Sequence, residues 1–418
     1  MKKNSVINKI VLLLSLCAFA GCKDLPETEG GPKLNVGYIE EFQKSAQIRF
    51  TVDDGGGSAG FTARVANPTT DRVSFSVEID PALLEAYNQA NNTSFSVLPA
   101  AVYDLQLLDD EGKVLTEGKK LDIALAPNEY GKKIKVAVKT MVTEEVGENG
   151  QKVGKPLSYY ENYAIPVRML NVEGGAQLQS TANSGIFFLN RKFTMPVMHL
   201  NGRLGLIYKQ NTMPQAPGKS YEGDIKYPEW TCQYSFCLDR VNNNTGLMYP
   251  NLRTTSDSPL YMTLYGGSLT LFAAGGKVGL NQPAFKDFVF KEKKWYHMAI
   301  SFKEEGGRPN LRLYINGQLA YQSVWPRKVD EWPIIFLGNG SFQGYVRELR
   351  FWRRALTEGE INETLWFANP KTEGLEVYLP LSTDKKGLIE GKENDWIDIS
   401  EGNTHFNDVF TFPVEDEK

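Results

Sequence analysis

Short segments that alternate apolar and polar residues recur along this chain and constrain its fold more than any other feature. Val73–Ile79 and Ile134–Val138 alternate in the first half, and Trp295–Phe302 and Leu311–Ile315 alternate in the second. A period of two places the apolar side chains on one face of an extended strand, as in antiparallel sheets with one buried face. Such sheets must bury that face, so the pattern predicts an all-β chain built from two-layer sandwiches.

Turn and cap signals separate these segments. Asn316 and Gly317 lie between two alternating runs, and this dipeptide favours the positive φ angles of a type I′ hairpin. Asp80, followed by proline, predicts the start of a helix that ends by Asn92. Thr357, three residues before a glutamate, predicts a second short helix that begins with a capping box.

Tryptophan usage divides the chain into two units. None of the seven tryptophans precedes Trp230. The glycines at 174 and 175 and the polar residues that follow them are typical of a linker. We therefore predict a signal peptide at 1–21, a tether at 22–35, a first β-sandwich at 36–173, a linker at 174–183 and a second β-sandwich at 184–418. The seven tryptophans are Trp230, Trp295, Trp325, Trp332, Trp352, Trp366 and Trp396.

The N-terminal segment is typical of a secretory signal. Three lysines precede an apolar run at Ile10–Ala20, which ends in small residues before Cys22 and is too short to span a bilayer. The junction resembles the lipobox of bacterial lipoproteins, which implies lipidation of Cys22. The lysine and acidic residues of 23–29 resemble the export signal of Sus-like surface lipoproteins. The resemblance implies a lipid-anchored outer-membrane protein that faces the cell exterior.

Charge and cysteine content exclude other classes. The net charge is −4, and removal of the lysine-bearing signal makes it about −7, which argues against nucleic-acid or anionic-lipid binding. Besides Cys22, only Cys232 and Cys237 remain in the mature chain. Both fall in one strand-like run, and about 16 Å of extended chain separates them, beyond the reach of a disulfide. We predict two unpaired thiols.

The first unit resembles a known domain. Asp80–Asn88 and Tyr163–Val167 are similar to an uncharacterised N-terminal domain of Sus-like surface lipoproteins, over roughly residues 35–172. The resemblance implies an Ig-like β-sandwich that acts as a spacer before carbohydrate-active modules.

The second unit resembles the LamG/pentraxin-like branch of the concanavalin A-like jelly rolls. The segments that carry this resemblance are Trp295–His297, Ile315–Gly317 and Gly344–Thr357. It implies an antiparallel two-sheet jelly roll from about Ser184 to Phe412.

The same resemblance raises calcium as a possible cofactor, because many LamG-like modules bind it through loop oxygens. One observation argues against an inherited site: Arg347 precedes Glu348, where the family often has an aspartate. A polar turn between strands is the alternative for the asparagine-rich loop. The candidate calcium ligands are Asp239, Asn242, Asn243, Asn244 and Asp257.

Catalysis has little support in the sequence. Glycosidases of this fold place two carboxylates across the scissile bond, but Glu222 and Asp224 lack the third acid of the glucanase motif. Asp395, Asp398 and Glu401 lie in a segment that the family uses as a terminal loop. Neither a nucleophile elbow nor paired zinc-ligand spacing occurs, and His297 fits a structural role within its strand. We predict that the protein is not an enzyme.

Glycan binding needs only aromatic faces that stack on sugars and a few hydrogen-bonding groups. Trp325 and Trp332 flank a polar loop after a strand, which makes them the first candidates, although packing over the sandwich edge is the alternative. The full set of candidate glycan-binding residues is Trp325, Trp332, Arg327, Trp230, Tyr249 and Asn251.

Together these features predict a surface-anchored, non-catalytic glycan-binding lipoprotein. Its expected partners are a glycan, the membrane and an outer-membrane importer complex that takes up the captured oligosaccharide. Tethering raises the local concentration, so a weak sugar site would suffice. The alternatives are a protein-binding or assembly subunit of a surface complex and, third, a glycoside hydrolase.

Overall fold

The structure is a computed structural model that describes residues 35–146, 149, 151–207, 227–250, 260–273, 276–278, 280, 285, 287–326, 328–329, 334–382, 386–389, 392–395, 397–398 and 403–413. Strands dominate these residues and form two units in chain order, so the all-β prediction is confirmed. Within the described ranges, no helix has the length and apolar character needed to cross a membrane.

The first unit is a sandwich of two six-stranded sheets. Its sheets have the orders β13-β1-β3-β9-β6-β7 and β2-β14-β12-β4-β8, with β5 beside β12, and β10 and β11 form a separate hairpin. The 3₁₀ turns are Glu40–Gln43 and Ala100–Val102. The regular elements are β1 (Val36–Ile39), β2 (Gln47–Val52), β3 (Gly57–Val65), β4 (Val73–Ile79), α1 (Pro81–Asn91), β5 (Ser96–Val97), β6 (Tyr103–Leu108), β7 (Val114–Gly118), β8 (Lys120–Leu125), β9 (Gly131–Val138), β10 (Val142–Val146), β11 (Lys152–Pro156), β12 (Tyr163–Glu173), β13 (Gln177–Leu178) and β14 (Ser184–Arg191).

The boundary between the units differs from the prediction. β14 was expected to open the second unit, but it pairs with β12 on one side and, in parallel, with β2 on the other. Phe187 of β14 is fully buried in the first core, with its ring centre 5.7 Å from that of Phe42 and 5.5 Å from that of Phe61. The predicted linker at 174–183 likewise contains β13, which extends the first sheet. The first sandwich therefore runs to Arg191, because β14 fills a central place in its second sheet.

Helix α1 forms as its cap signals predict. The Asp80 carboxylate accepts a hydrogen bond from the Ala82 backbone N–H at 3.1 Å, and Asn92 ends the helix with a φ of 55°. Leu84 packs in a small apolar cluster with Phe188, on the face of the second sheet opposite the main core. This packing holds α1 on the outside of the sandwich.

The second unit is a curled assembly of strands in which two long strands, β15 and β24, make many of the connections. One path through it has the order β20-β19-β18-β17-β24-β16-β21-β22-β23, with β15, β25 and the last strands attached beside it. Its elements are β15 (Phe193–Ile207), β16 (Glu229–Leu238), β17 (Thr245–Pro250), β18 (Tyr261–Tyr265), β19 (Ser268–Ala273), β20 (Gly276–Val278), β21 (Trp295–Glu305), β22 (Arg308–Ile315), β23 (Gln318–Val324), β24 (Ile334–Trp352), α2 (Glu358–Glu363), β25 (Leu375–Leu379), β26 (Lys386–Ile389), β27 (Lys392–Asp395), β28 (Ile397–Asp398) and β29 (Asn403–Phe412).

Strand β24 links the two layers of this unit. Its first part pairs with β17 and its second part with β16, and Gly338 lies between them with a φ of 73°. A Cβ at Gly338 would lie 2.5 Å from the Gly202 carbonyl oxygen, so the close approach of β15 requires glycine. Between the layers, Trp230 stacks on Phe302 and Phe351 at ring distances of 5.8 and 6.0 Å. The predicted two-layer sandwich is confirmed.

The local turn predictions also hold. Asn316 and Gly317 have φ angles of 50° and 80°, which suit a type I′ turn between β22 and β23. Thr357 caps α2, and its capping box with Glu360 is complete. Cys232 and Cys237 are both buried and carry free thiols.

The assignment of β14 to the first sandwich can be tested by replacing Phe187 with alanine. Loss of a fully buried ring should cost about 3–5 kcal/mol of unfolding free energy. Hydrogen exchange followed by mass spectrometry should then show faster exchange in β2, β12 and β14. The control, Phe351→Ala, should instead speed exchange in β16 and β21. Faster exchange confined to the second unit after Phe187→Ala would contradict the assignment.

Candidate functional site

The second unit has one sheet face that is covered by its own chain. On β16, β21 and β24, the side chains that point away from the main core are almost fully buried, including Gln233, His297 and Trp352. The cover is the segment Arg353–Thr372, which contains α2. Its apolar residues, among them Leu356 and others of one small cluster, pack on that sheet face.

A buried cluster of charged residues fastens this cover. Arg347 and Arg350 each lie beside the Glu348 carboxylate, at 3.4 and 3.3 Å, and the Tyr378 hydroxyl donates to the same carboxylate at 2.9 Å. Arg350 also donates to the carbonyl oxygen of Thr364 in the cover. Burial lowers the pKa of Arg347 to about 10 and that of Arg350 from its usual value. Removing Glu348 would leave two buried guanidinium groups without their carboxylate, which is strongly destabilising.

A cleft of about 650 Å³ lies between the cover and the first sandwich. Polar side chains form most of its walls. The first sandwich contributes Asn88, Asn92, Ser94, Ser96, Tyr160 and Asn162. The second unit contributes Trp352, Arg354, Leu356, Glu360, Glu363 and Asn369.

Direct hydrogen bonds join the two walls where the end of α1 meets α2. The Asn92 amide donates to the Glu360 carboxylate at 2.7 Å, and the Ser94 hydroxyl donates to the Glu363 carboxylate at 2.7 Å. Glu360 also contacts the Arg354 guanidinium. Burial raises the pKa of Glu363, although its hydrogen bonds from Ser94 act in the opposite direction. The two units are thus held together along one side of the cleft.

Tyr160 supplies the aromatic surface of the cleft. It is 44% exposed, while Phe367 and Tyr378 hold its ring edge-on at 6.3 and 6.5 Å. Partial burial raises the pKa of its hydroxyl, so the group is a neutral hydrogen-bonding partner. Trp352 lies at the bottom of the cleft, and its indole N–H donates to Gln233 at 2.9 Å. A half-exposed ring beside amides, hydroxyls and carboxylates can bind a ligand that has apolar faces and many hydroxyl groups.

The aromatic residues singled out from the sequence lie elsewhere. Trp325 and Trp230 are 1% and 0% exposed, and the Trp230 indole N–H donates to the Val329 carbonyl oxygen. Tyr249 is also buried and lies 5.3 Å from Tyr261, ring to ring. The expectation that these three rings face a sugar is therefore wrong. The chain after β23 folds back so that Trp325 joins Trp230 of β16 in the core, and Tyr249 is buried on β17. Trp332, Arg327 and Asn251 lie outside the described residues.

The candidate calcium ligands have separate protein partners. The Asp239 carboxylate lies 2.7 Å from the His199 ring, the Asn242 amide donates to Ser341, and the Asn244 side chain accepts a hydrogen bond from Tyr265. Over the described part of the chain, no group of three or more His, Cys, Asp or Glu side chains could hold a metal ion. Asp257 lies outside the described residues. The asparagine-rich loop is accounted for as a polar turn.

Two of the acids considered for catalysis fall in short strands near the C-terminus. Asp395 ends β27 and Asp398 ends β28. Glu222, Asp224 and Glu401 fall outside the described ranges. Sequence reasoning identified both helices that wall the cleft but gave no signal that they meet, since Asn92 and Glu360 are 268 positions apart.

Two family models match the chain. One, described as the concanavalin A-like lectin/glucanases superfamily, matches residues 236–362, from the end of β16 into α2. The C-terminal unit contains a concanavalin A-like domain. The other model, described as an N-terminal domain, matches residues 33–176. The concanavalin A-like domain includes Trp352, Arg354 and Glu360, so part of the cleft wall belongs to the matched segment.

Several solved structures are similar to the whole chain or to parts of it. A Bacteroides ovatus protein provisionally named as carbohydrate binding is 17% identical, with a TM-score of 0.41, and the match covers 90% of this chain and 97% of that one. A pentraxin of Limulus polyphemus is 14% identical, with a TM-score of 0.30 and coverage of 51% and 88%. A two-domain Bacteroides fragilis protein of unknown function is 11% identical, with a TM-score of 0.26 and coverage of 81% and 92%. Structural similarities with these identities and TM-scores do not assign a function. A comparison with curated protein sequences finds no match.

His297, under the cover, predicts a pH dependence of stability. Its burial, together with the nearby charges of Arg350 and Arg347, holds its pKa well below the usual value of 6.5. The native ring therefore stays neutral, while the unfolded chain takes up a proton as the pH falls below about 6.5. Stability should fall by about 1.4 kcal/mol per pH unit from this group alone.

Urea unfolding of the wild type and of His297→Gln between pH 7 and pH 5 measures this contribution. The difference in unfolding free energy between the two proteins should change by about 1.4 kcal/mol per unit below pH 6.5. A pH-independent difference would show that the native ring is protonated as readily as the unfolded one.

Proposed function

We propose that this protein is a non-catalytic glycan-binding protein whose ligand lies in the cleft between the two units. The observation that carries the proposal is the position of Tyr160, a half-exposed ring set among amides and carboxylates. Sugars present C–H faces that stack on such rings and hydroxyls that pair with such polar groups. The match of the C-terminal unit to a superfamily of lectins and glucanases supports the same ligand class.

The size and polarity of the cleft suit an oligosaccharide. Its volume of about 650 Å³ lies within the range of small-ligand sites. Amide side chains such as Gln89 and Asn162 can each donate to one hydroxyl and accept from another. A neutral, hydroxyl-rich ligand uses both functions.

Binding, rather than hydrolysis, is the role proposed for the carboxylates of α2. Glu360 accepts hydrogen bonds from Asn92 and from the Thr357 backbone N–H, and it contacts Arg354. Glu363 accepts two hydrogen bonds from Ser94. Because these partners occupy the carboxylates and tie α2 to its surroundings, the arrangement favours fixed acceptors over groups that exchange protons with a ligand.

The cellular role extends this proposal. The lipobox-like junction at Cys22 supports a lipid anchor, and the acidic residues that follow it support export to the outer surface. We propose that the anchored protein captures oligosaccharide for an outer-membrane importer complex. Anchoring near an importer raises the effective ligand concentration, which allows a weak site to work.

Glycan binding by the cleft is tested with Tyr160→Ala in the soluble protein that starts after Cys22. On a broad glycan array followed by calorimetry, the variant should bind about tenfold more weakly, because a stacked ring contributes roughly 1.4 kcal/mol. Tyr265→Ala removes a similarly exposed ring from β18 and should bind like the wild type. Binding that survives Tyr160→Ala unchanged would place the site elsewhere. A folded protein that binds no glycan would favour a protein-binding assembly subunit.

The anchor is tested in cells with Cys22→Ser. The wild type should be found in the outer-membrane fraction and, after detergent phase separation, in the detergent phase. It should also be cleaved by protease added to intact cells. The variant should lose lipid labelling and leave the membrane fraction. A variant that remains membrane-bound without lipid would contradict the proposed anchor.

A further inference from the structure

The first sandwich carries a separate groove on the outer face of its first sheet. The groove has a volume of about 250 Å³ and crosses β3, β9 and the turn between β6 and β7. None of the residues that line it lines the cleft. Its lining includes Thr62, Arg64, Leu108, Asp110, Leu115 and Tyr130.

Tyr130 gives this groove an aromatic surface. At 51% exposure it is the most exposed of the large aromatic side chains among the described residues. Its backbone is fixed, because its carbonyl oxygen accepts a hydrogen bond from the Val65 backbone N–H at 2.8 Å. A tyrosine ring has only two side-chain torsions, so it can stack on a ligand with little loss of conformational entropy.

Arg64 holds the ring of Tyr130 from the side of β3. Its guanidinium carbon lies 5.8 Å from the centre of that ring and 6.0 Å from the centre of the Tyr38 ring, and it pairs with Glu40 at 3.0 Å. Gly131 makes this approach possible, since a Cβ there would lie 2.5 Å from the Arg64 Cβ. The arrangement of Arg64 and Tyr130 therefore depends on the glycine between the ring and the strand.

The rest of the groove combines apolar and polar contacts. Leu115, 58% exposed, and Leu108 extend the apolar strip beside the ring. Asp110 and Lys133 are exposed at its edges, and neither forms an ion pair with another described residue. Arg64 and Lys132 pair with Glu40 and Glu129, so the charges that remain in the groove are Lys133, Asp109 and Asp110, which leave it slightly acidic with both donors and acceptors. This balance suits a ligand with neutral hydroxyls better than a polyanion.

We propose that this groove is a second carbohydrate subsite, which binds one or two units of a neutral glycan. The inference rests on the proposed function for its ligand class but on separate residues for its site. The first sandwich is then a binding module in its own right and not only a spacer. Two subsites on one anchored chain bind a polysaccharide with avidity that neither reaches alone.

The test is affinity electrophoresis of the full soluble chain, from residue 23 to residue 418, in gels that contain starch, xyloglucan, yeast mannan or laminarin. Tyr130→Ala should weaken retardation by about three- to tenfold in the polysaccharide that retards the wild type, as expected for loss of one stacked ring. Tyr265→Ala is the matched control and should migrate as the wild type does. Circular dichroism checks that each variant is folded.

Comparison with the cleft separates this inference from the proposed function. If Tyr160→Ala weakens retardation and Tyr130→Ala does not, the cleft stands and the groove proposal is overturned. If Tyr130→Ala alone weakens it, the groove stands and the cleft is excluded as the site. The double variant should lose retardation beyond either single change. A wild type that none of the four polysaccharides retards would overturn the groove proposal as well.

Discussion

The buried cluster of Arg347, Glu348 and Arg350 is the interaction on which the architecture of this molecule depends. It places two guanidinium groups and one carboxylate beneath the cover, and the cover accepts one hydrogen bond from each guanidinium through the carbonyl oxygens of Trp366 and Thr364. Desolvating these charges is costly unless every partner stays in place. The cluster thus ties the conformation of the cover to that of the sheet below it. The cluster therefore also fixes the position of helix α2, which contacts the first sandwich.

Because of this arrangement, both units of the chain are needed to form the cleft. The first sandwich contributes the end of α1 and Tyr160, while the concanavalin A-like domain contributes Trp352 and α2. The sheet face under the cover is filled by the protein's own residues, and the proposed ligand site lies on the outer side of the cover. The two helices are short, yet each is fixed by a complete cap, which gives the polar walls a defined geometry.

Local physics made much of the fold predictable from the sequence. The caps of α1 and α2 and the hairpin at Asn316 depend on residues within a few positions of one another, and all three form as predicted. The place of β14 was not predictable, because its apolar run fits a strand in either sandwich. Trp325 was misjudged for a related reason: sequence shows that it follows a strand, not that the chain turns back into the core. The walls of the cleft come from segments that are distant in sequence, and no local sequence pattern indicates that these segments are in contact.

The step between β14 and β15 has a mechanical consequence. β14 ends at Arg191 and β15 begins at Phe193, so a single residue connects the two sandwiches. A ligand chain that pulls on the second unit would load β14 directly. Because β14 lies parallel to β2 over six residue pairs and between β2 and β12, such a load acts as shear across two strand ladders. Shear loads many hydrogen bonds at once instead of breaking them one by one. We therefore expect the connection between the two sandwiches to resist a pulling force.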